Sequence, residues 1–218
     1  MITDVFFNEH SALKEYGLRF SKIEIGLPTA RRTVVTVPGA NGALDLTSAI
    51  SNYTLYDERE IIITFYAVDS KQRWADIWAR VVGLLHGQKM HIITDDDADW
   101  YWDAYCEVDS VESRKMVGLI AVKCTAFPYK KKVLKTTVSK TLTTGTNTIN
   151  LANNRMEAIV KITNTAAITI TEWNGTAVSI ALAAGTHTLP DHVLESGANV
   201  IKMTGTGTVT IEYQEGKL

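Results

Sequence analysis

The sequence predicts a mainly β protein in two domains: a β-sheet domain with one packed α-helix, then a β-sandwich. Three observations predict it. Composition breaks near residue 130, because residues 131–218 hold 18 threonines, no Phe and one Trp, whereas residues 1–130 hold 9 threonines, four Trp and all five Phe. A single long segment carries a helical period. From Val138 onward, short β-branched runs alternate with Gly and Asn turns at the spacing of a sandwich. The break falls on Pro128-Tyr129-Lys130-Lys131-Lys132, which sets the domains at 1–130 and 131–218.

The whole chain has 218 residues, 45% hydrophobic and 21% charged, with net charge -2. That apolar fraction argues for a folded chain rather than disorder. The charge balance argues against a protein whose main task is gripping nucleic acid through phosphates. No apolar run approaches the roughly 20 residues of a membrane helix, and Met1-Ile2-Thr3-Asp4 opens without a signal-peptide pattern.

In the first domain Val5-Phe6-Phe7 reads as a strand, as does Leu18 to Ile25, which ends at Gly26. Thr33 to Val37 is β-branched and stops at Pro38-Gly39-Ala40-Asn41-Gly42. Pro presets φ and Gly tolerates positive φ, so these paired turn signals predict a hairpin tip or exposed loop before Leu44-Asp45-Leu46. Ile61 to Val68 is a stronger strand. Trp74, Ile77, Trp78, Val81, Val82 and Leu85 then form one apolar helical stripe, with Lys71, Arg73, Asp76 and Arg80 opposite. Asp69 or Ser70 caps this helix and Gly87 stops it. The stripe is core packing against a sheet, not a cofactor box.

Met90 to Thr94 leads into Asp95-Asp96-Asp97-Ala98-Asp99 and Trp100-Tyr101-Trp102. Apolar residues then alternate through Ala104, Cys106 and Val108, and through Ile120, Val122, Cys124 and Ala126 on the return strand. A turn near Lys115 sets residues summing to 230 face to face, Cys106 opposite Cys124, with both apolar faces on one side. The two thiols could form a cross-strand disulfide; with no secretion signal, buried free cysteines are favoured. In the second domain strands are expected at Thr148–Leu151, Ala158–Thr163, Ala167–Glu172, Ala177–Leu182, Gly185–Leu189, Asn199–Thr204 and Thr208–Tyr213.

No catalytic constellation emerges. An EF-hand loop opening at Asp95 would need Gly and Glu where Trp100 and Cys106 stand. The acid-rich loop beside Trp100, Tyr101 and Trp102 invites a sugar platform or a glycosidase pair, yet alternation sends Trp102 toward the core. His10, His86, His91, His187 and His192 are scattered, and no zinc, phosphate-loop or nucleophile-elbow motif is present. No enzyme activity, cofactor or metal is expected.

The order of these features resembles the distal tail proteins of long, non-contractile-tailed bacteriophages and related prophages. The resemblance rests on Met1 to Asn8, on Tyr16-Gly17-Leu18, and above all on Val37-Pro38-Gly39-Ala40-Asn41-Gly42-Ala43-Leu44-Asp45-Leu46-Thr47. The Trp-bearing helix ending at His86-Gly87, Gly197 to Ile201, Gly205 to Tyr213, and Gly216-Lys217-Leu218 extend it. Ala40 departs from it, standing where a charged residue such as Arg is expected. The resemblance implies a virion tail component assembled in the host bacterial cytoplasm. It implies a hexameric ring formed by the first domains, with galectin-like second domains projecting outward. Such a ring joins the tail tube to the tail tip or baseplate, and the tape-measure protein and then DNA pass through it without tight binding. Arg31, Arg32, Pro38, Gly39, Asn41, Gly42, Asp95, Asp96 and Asp97 are then the candidate contacts between copies or with neighbouring tail proteins. Their opposite charges would fix register. The alternative is a carbohydrate-binding or host-recognition module of a phage or prophage, with Trp173 as the sugar contact.

Overall fold

The computed structural model describes residues 1–39, 41–47, 54–68, 71–114 and 117–218. Ala40, the Asp69 or Ser70 cap and the turn at Lys115 lie outside the described residues, as do the side chains of Lys71 and Arg73. The chain divides into two compact units, Met1–Pro128 and Tyr129–Leu218. The architecture is mainly β throughout.

The first unit is built on an antiparallel sheet. Its strands are β1 (Val5–Phe7), β2 (His10–Ser11), β3 (Arg19–Ile25), β6 (Arg59–Val68), β7 (Gln88–Thr94), β8 (Trp100–Arg114) and β9 (Val117–Ala126). They lie in the order β2-β1-β7-β8-β9-β6-β3. Alternation puts Ile61, Ile63 and Phe65 of β6 and Ile120, Val122 and Cys124 of β9 on one buried face. Helix α2 (Lys71–Leu85) covers that face with Ile77, Val81 and Leu85, and Trp74 and Leu84 pack at the margin. A Cβ on Gly118 would come within 2.4 Å of the Trp74 ring, so only glycine lets that indole lie against β9. Gly87, at φ +74°, turns the chain after the helix, and its N–H donates to Cys106 O at 2.8 Å.

Two features of this unit differ from the expectation. Trp78, placed in the helical stripe, is 44% exposed. The covered arc runs through Ile77, Val81 and Leu85 and reaches Leu84 on one side, and Trp78 lies at its opposite margin. A short helix, α1 (Ala12–Tyr16), also forms where no periodicity marks it. Ser11 caps it, its hydroxyl accepting from Lys14 N at 2.9 Å, and Gly17 ends it in the left-handed region. The buried Asp4 carboxylate accepts from Val5 N at 2.8 Å, Leu13 N at 3.0 Å and the Ser11 hydroxyl at 2.5 Å.

The β8–β9 register runs Ala104↔Ala126, Cys106↔Cys124 and Val108↔Val122, as the sum of 230 requires. A bulge between Val108 and Ser110 then shifts it by one residue. The Cys106 and Cys124 sulfurs lie 3.5 Å apart in the core, and this contact and burial hold the Cys124 thiol far above its ordinary pKa.

The second unit is two four-stranded antiparallel sheets enclosing one core. One holds β11 (Thr136–Leu142), β18 (Gly207–Tyr213), β13 (Ala158–Asn164) and β16 (Gly185–Leu194), in that order. The other runs β12 (Thr146–Asn153), β17 (Gly197–Gly205), β14 (Ile168–Trp173), β15 (Thr176–Leu182). Strand β11 was not among the expected strands. Strand β16 continues past Pro190, where the sequence suggested a stop. It lies on a sheet edge and its register jumps between Ile159 and Val160, and both circumstances tolerate a residue without an N–H. Strand β10 (Lys130–Lys132) pairs with β19 (Gly216–Lys217), tying the ends of the unit together.

Candidate functional site

Between β3 and β6 the first unit carries an arm. Strands β4 (Val34–Thr36) and β5 (Ala43–Asp45) form a hairpin with Val34↔Asp45, Val35↔Leu44 and Thr36↔Ala43 in register. Pro38, Gly39, Asn41 and Gly42 sit at its exposed tip, and Gly39 and Gly42 adopt φ of +83° and +78°. Below the hairpin the chain is held by Arg31 N to Leu55 O at 2.8 Å and Asp57 N to Thr29 O at 2.9 Å.

The two arginines are spent locally. The Arg32 guanidinium donates to Asp45 at 2.8 Å, and Arg31 pairs with Asp57. The Thr47 hydroxyl, then Arg32, hold the Asp45 carboxyl well below the usual carboxylate range. What the arm leaves unanswered is apolar. Val34 is 50% exposed and Leu44 55%, Val35 and Val37 are exposed too, and Leu27 below them is 85% exposed. An isolated two-stranded hairpin is marginal in water, and this one turns β-branched and leucine side chains outward. Its composition suits a covered surface.

The acidic candidates form one 3-10 turn, Asp95–Asp97, after β7. Asp95 is structural: its carboxylate accepts from Thr3 N at 3.0 and 3.1 Å and from the Thr3 hydroxyl. Burial pushes its carboxyl up, but those bonds and nearby backbone N–H groups outweigh burial and lower it. Asp97 is half-buried, and Asp96 is exposed. Within one chain Arg31 and Arg32 take Asp57 and Asp45 as partners rather than this turn. Among the described residues no group of three or more His, Cys, Asp or Glu is placed to hold a metal ion.

Trp173, the candidate sugar contact, belongs to the second core. It is 7% exposed, its indole N–H donates to Val193 O at 3.1 Å, and His192 meets it edge-on at 5.3 Å. A sugar stacks on a free aromatic face, and this indole has none to offer. The expectation is corrected by a bulge between Ile170 and Glu172, which breaks the alternation of β14 and turns Trp173 inward on the same side as Ile168 and Ile170.

Sequence reasoning missed Arg59. It is buried at the start of β6 beside a cleft of about 450 Å³ lined by Arg31, Asp57, Glu58, Glu60 and Thr125. The signal was present in strand parity. Arg59 keeps step with Ile61, Ile63 and Phe65, but a strand begun at Ile61 leaves it out.

This architecture matches a solved structure over its whole length. The SPP1 Dit (gp 19.1) protein, described as a paradigm of hub adsorption apparatus in Gram-positive-infecting phages, superposes with a TM-score of 0.72, covering 100% of both chains. The chain has the Dit fold. Sequence identity over the match is 13%, so the likeness to Dit is one of fold. No family model and no curated protein sequence matches the chain. The Dit likeness spans both units, sandwich included, so the hairpin arm is part of a Dit-like first unit rather than an appendage to an unrelated domain.

Proposed function

We propose that the chain is a structural hub of a phage or prophage tail: a homo-oligomeric ring, six-fold as the family resemblance implies, joining tail tube to tail tip or baseplate. The observation that carries this reading is the full-length likeness of fold to SPP1 Dit. The apolar, outward-facing hairpin supports it, because such a surface suits burial against another copy or a neighbouring tail protein. In this reading the first units build the ring and the second units, galectin-like sandwiches, lie outside it. The tape-measure protein and then DNA pass through the opening without specific binding.

The charges of the first sheet fit a passive duct. On the face away from α2, Lys123 is paired with Glu60 at 2.6 Å, Lys22 with Glu24 at 2.6 Å and Lys89 with Asp103 at 3.2 Å. Lysines paired in place are less available to a phosphate backbone.

Multi-angle light scattering and negative-stain imaging of the full chain test the reading. Rings of one defined stoichiometry are expected at high protein concentration. A strict monomer that also fails to associate with tail-tube or tail-tip proteins would overturn it.

A further inference from the structure

The root of the hairpin arm holds a charge that nothing in the described chain answers. Arg59 opens β6, and alternation turns it to the same side as Ile61 and Ile63. It is 5% exposed, and its Nε and Nη2 atoms are buried without a hydrogen-bond partner among the described residues. Burial also lowers the pKa of its guanidinium, the mark of a cation taken from water without a compensating anion. The carboxylates around it are committed elsewhere or stand in solvent. Asp57 is paired with Arg31, Glu60 with Lys123, and Glu58 is exposed.

A buried guanidinium is costly unless an acceptor completes it. Its planar fork matches a carboxylate, which it grips with two parallel N–H donors. The cleft that Arg59 helps to line, about 450 Å³, has room for an entering side chain, which must displace the wall that covers Nε and Nη2 in the single chain.

We propose that Arg59 is a socket for a carboxylate from the Asp95–Asp97 turn of a second copy of this chain. The inference rests on the ring reading above and names the contact that joins one copy to the next. Topology favours it. Arg59 pairs with Ala126 at the end of β9, and Ala126 also faces Ala104 near the start of β8. The acidic turn leads directly into β8. Socket and turn therefore lie toward the same end of the sheet. In the order β2-β1-β7-β8-β9-β6-β3, the turn belongs to the β7 side and the socket to the β6–β3 edge. Strands β8 and β9 keep them apart within one chain. Copies placed side by side in the same orientation, as a closed head-to-tail ring demands, bring the turn of one toward the socket of the next. Of the three carboxylates, Asp95 is occupied by Thr3 and Asp97 is half-buried, whereas Asp96 is exposed. Asp96 is assigned as the group that enters.

The test uses the full chain, with assembly followed by light scattering and stability by thermal unfolding at dilutions where it is monomeric. Arg59→Met and Asp96→Asn should each weaken assembly by about 30-fold or more, as loss of one partner of a buried charge pair does. The double variant should assemble no worse than the weaker single variant. Arg59→Lys, which keeps the charge but loses the fork, should recover only part. The unfolding temperature of monomeric Arg59→Met should rise or hold, because an uncompensated buried charge has been removed. A clear fall would make Arg59 a structural residue of the monomer and overturn the socket. Rings of ordinary strength from Arg59→Met would also overturn it while leaving the ring reading intact. Additive losses in the double variant would overturn the pairing with Asp96. A wild-type chain that stays monomeric would overturn the ring reading, and the socket with it.

Discussion

In the sandwich of the second unit, most polar groups at the strand ends are answered within the unit, although the buried Asn153 Oδ1 and Asn164 Oδ1 find no partner among the described residues. Asn199 accepts from Glu195 N at 2.8 Å and returns a bond to Glu195 O at 2.8 Å, and Asn147 does the same four residues from Thr143, at 3.0 and 2.7 Å. Tyr213 closes on Ala152 O, and Glu215 gathers Lys132, Thr136 and Asn154. The hairpin arm of the first unit is the reverse. Its charges are paired, but Val34, Val35, Val37 and Leu44 face solvent, and the cleft at its root holds a guanidinium with unpartnered nitrogens. Among the described residues, one region completes most of its own interactions and leaves only neutral amide oxygens unpaired, whereas the other leaves a buried cation and an apolar surface to be completed. Threonine-rich strands achieve the first by covering a small apolar core with side chains that tolerate water. The arm achieves the second by spending β-branched residues where no core lies beneath them.

The sharpest way to break this comparison is to remove the sandwich's large anchor. Trp173→Ala should cost about 3–5 kcal/mol of stability, since it empties an indole-sized volume in the second core and removes the bond to Val193. Thermal or denaturant unfolding would measure it. Ring formation by the fraction still folded should be unchanged. A variant of wild-type stability that loses binding to a glycan would instead restore a ligand role for this side chain.

A smaller effect is expected at Glu215. Burial pushes its carboxyl up, but Lys132 and the Thr136 hydroxyl outweigh burial and hold it below the ordinary value. A lowered folded pKa means that the stabilisation is present above the unfolded pKa of about 4.3 and is lost as pH falls through the folded value. Glu215→Gln should therefore destabilise the chain by about 1–3 kcal/mol near neutral pH, and the difference from wild type should shrink in acid. Urea unfolding between pH 7 and pH 3 would follow it. A constant difference across that range would remove Glu215 from the account.

These residues also mark how far sequence alone carries. Alternation in β8 and β9 was strong enough to set Cys106 opposite Cys124, because one slipped residue would put every apolar side chain on the wrong face. The bulge beyond Val108 left no such trace, since the residues past it are mixed in character. Helical periodicity located α2 but overestimated its buried width; how much of a stripe is covered depends on the sheet beneath, and Trp78 fell outside it. The hairpin tip was legible from Pro38-Gly39 and Asn41-Gly42, as turn chemistry is local. Arg31 and Arg32 were legible as charges but not as charges already paired, because Asp57 and Asp45 reach them only through the fold. Arg59 was missed because a basic residue among acids reads as surface until its parity with the core of β6 is known.

The smallest effect on stability, and the most telling for function, belongs to the hairpin. Leu44 lies opposite Val35 on a ladder with exposed residues on both strands. Replacing it with Ser removes no buried contact, so Leu44→Ser should change the unfolding free energy by less than about 0.5 kcal/mol. If the arm is an ordinary solvated loop, nothing else should change. If it is covered in a ring, the same substitution should weaken assembly by about tenfold or more, because an apolar side chain would be lost from the centre of the contact. Unfolding and light scattering on one variant thus separate a residue that holds the monomer together from one that holds copies together. A loss of stability matching any loss of assembly would show that the arm is packed within its own chain, and the contrast with the sandwich would fail.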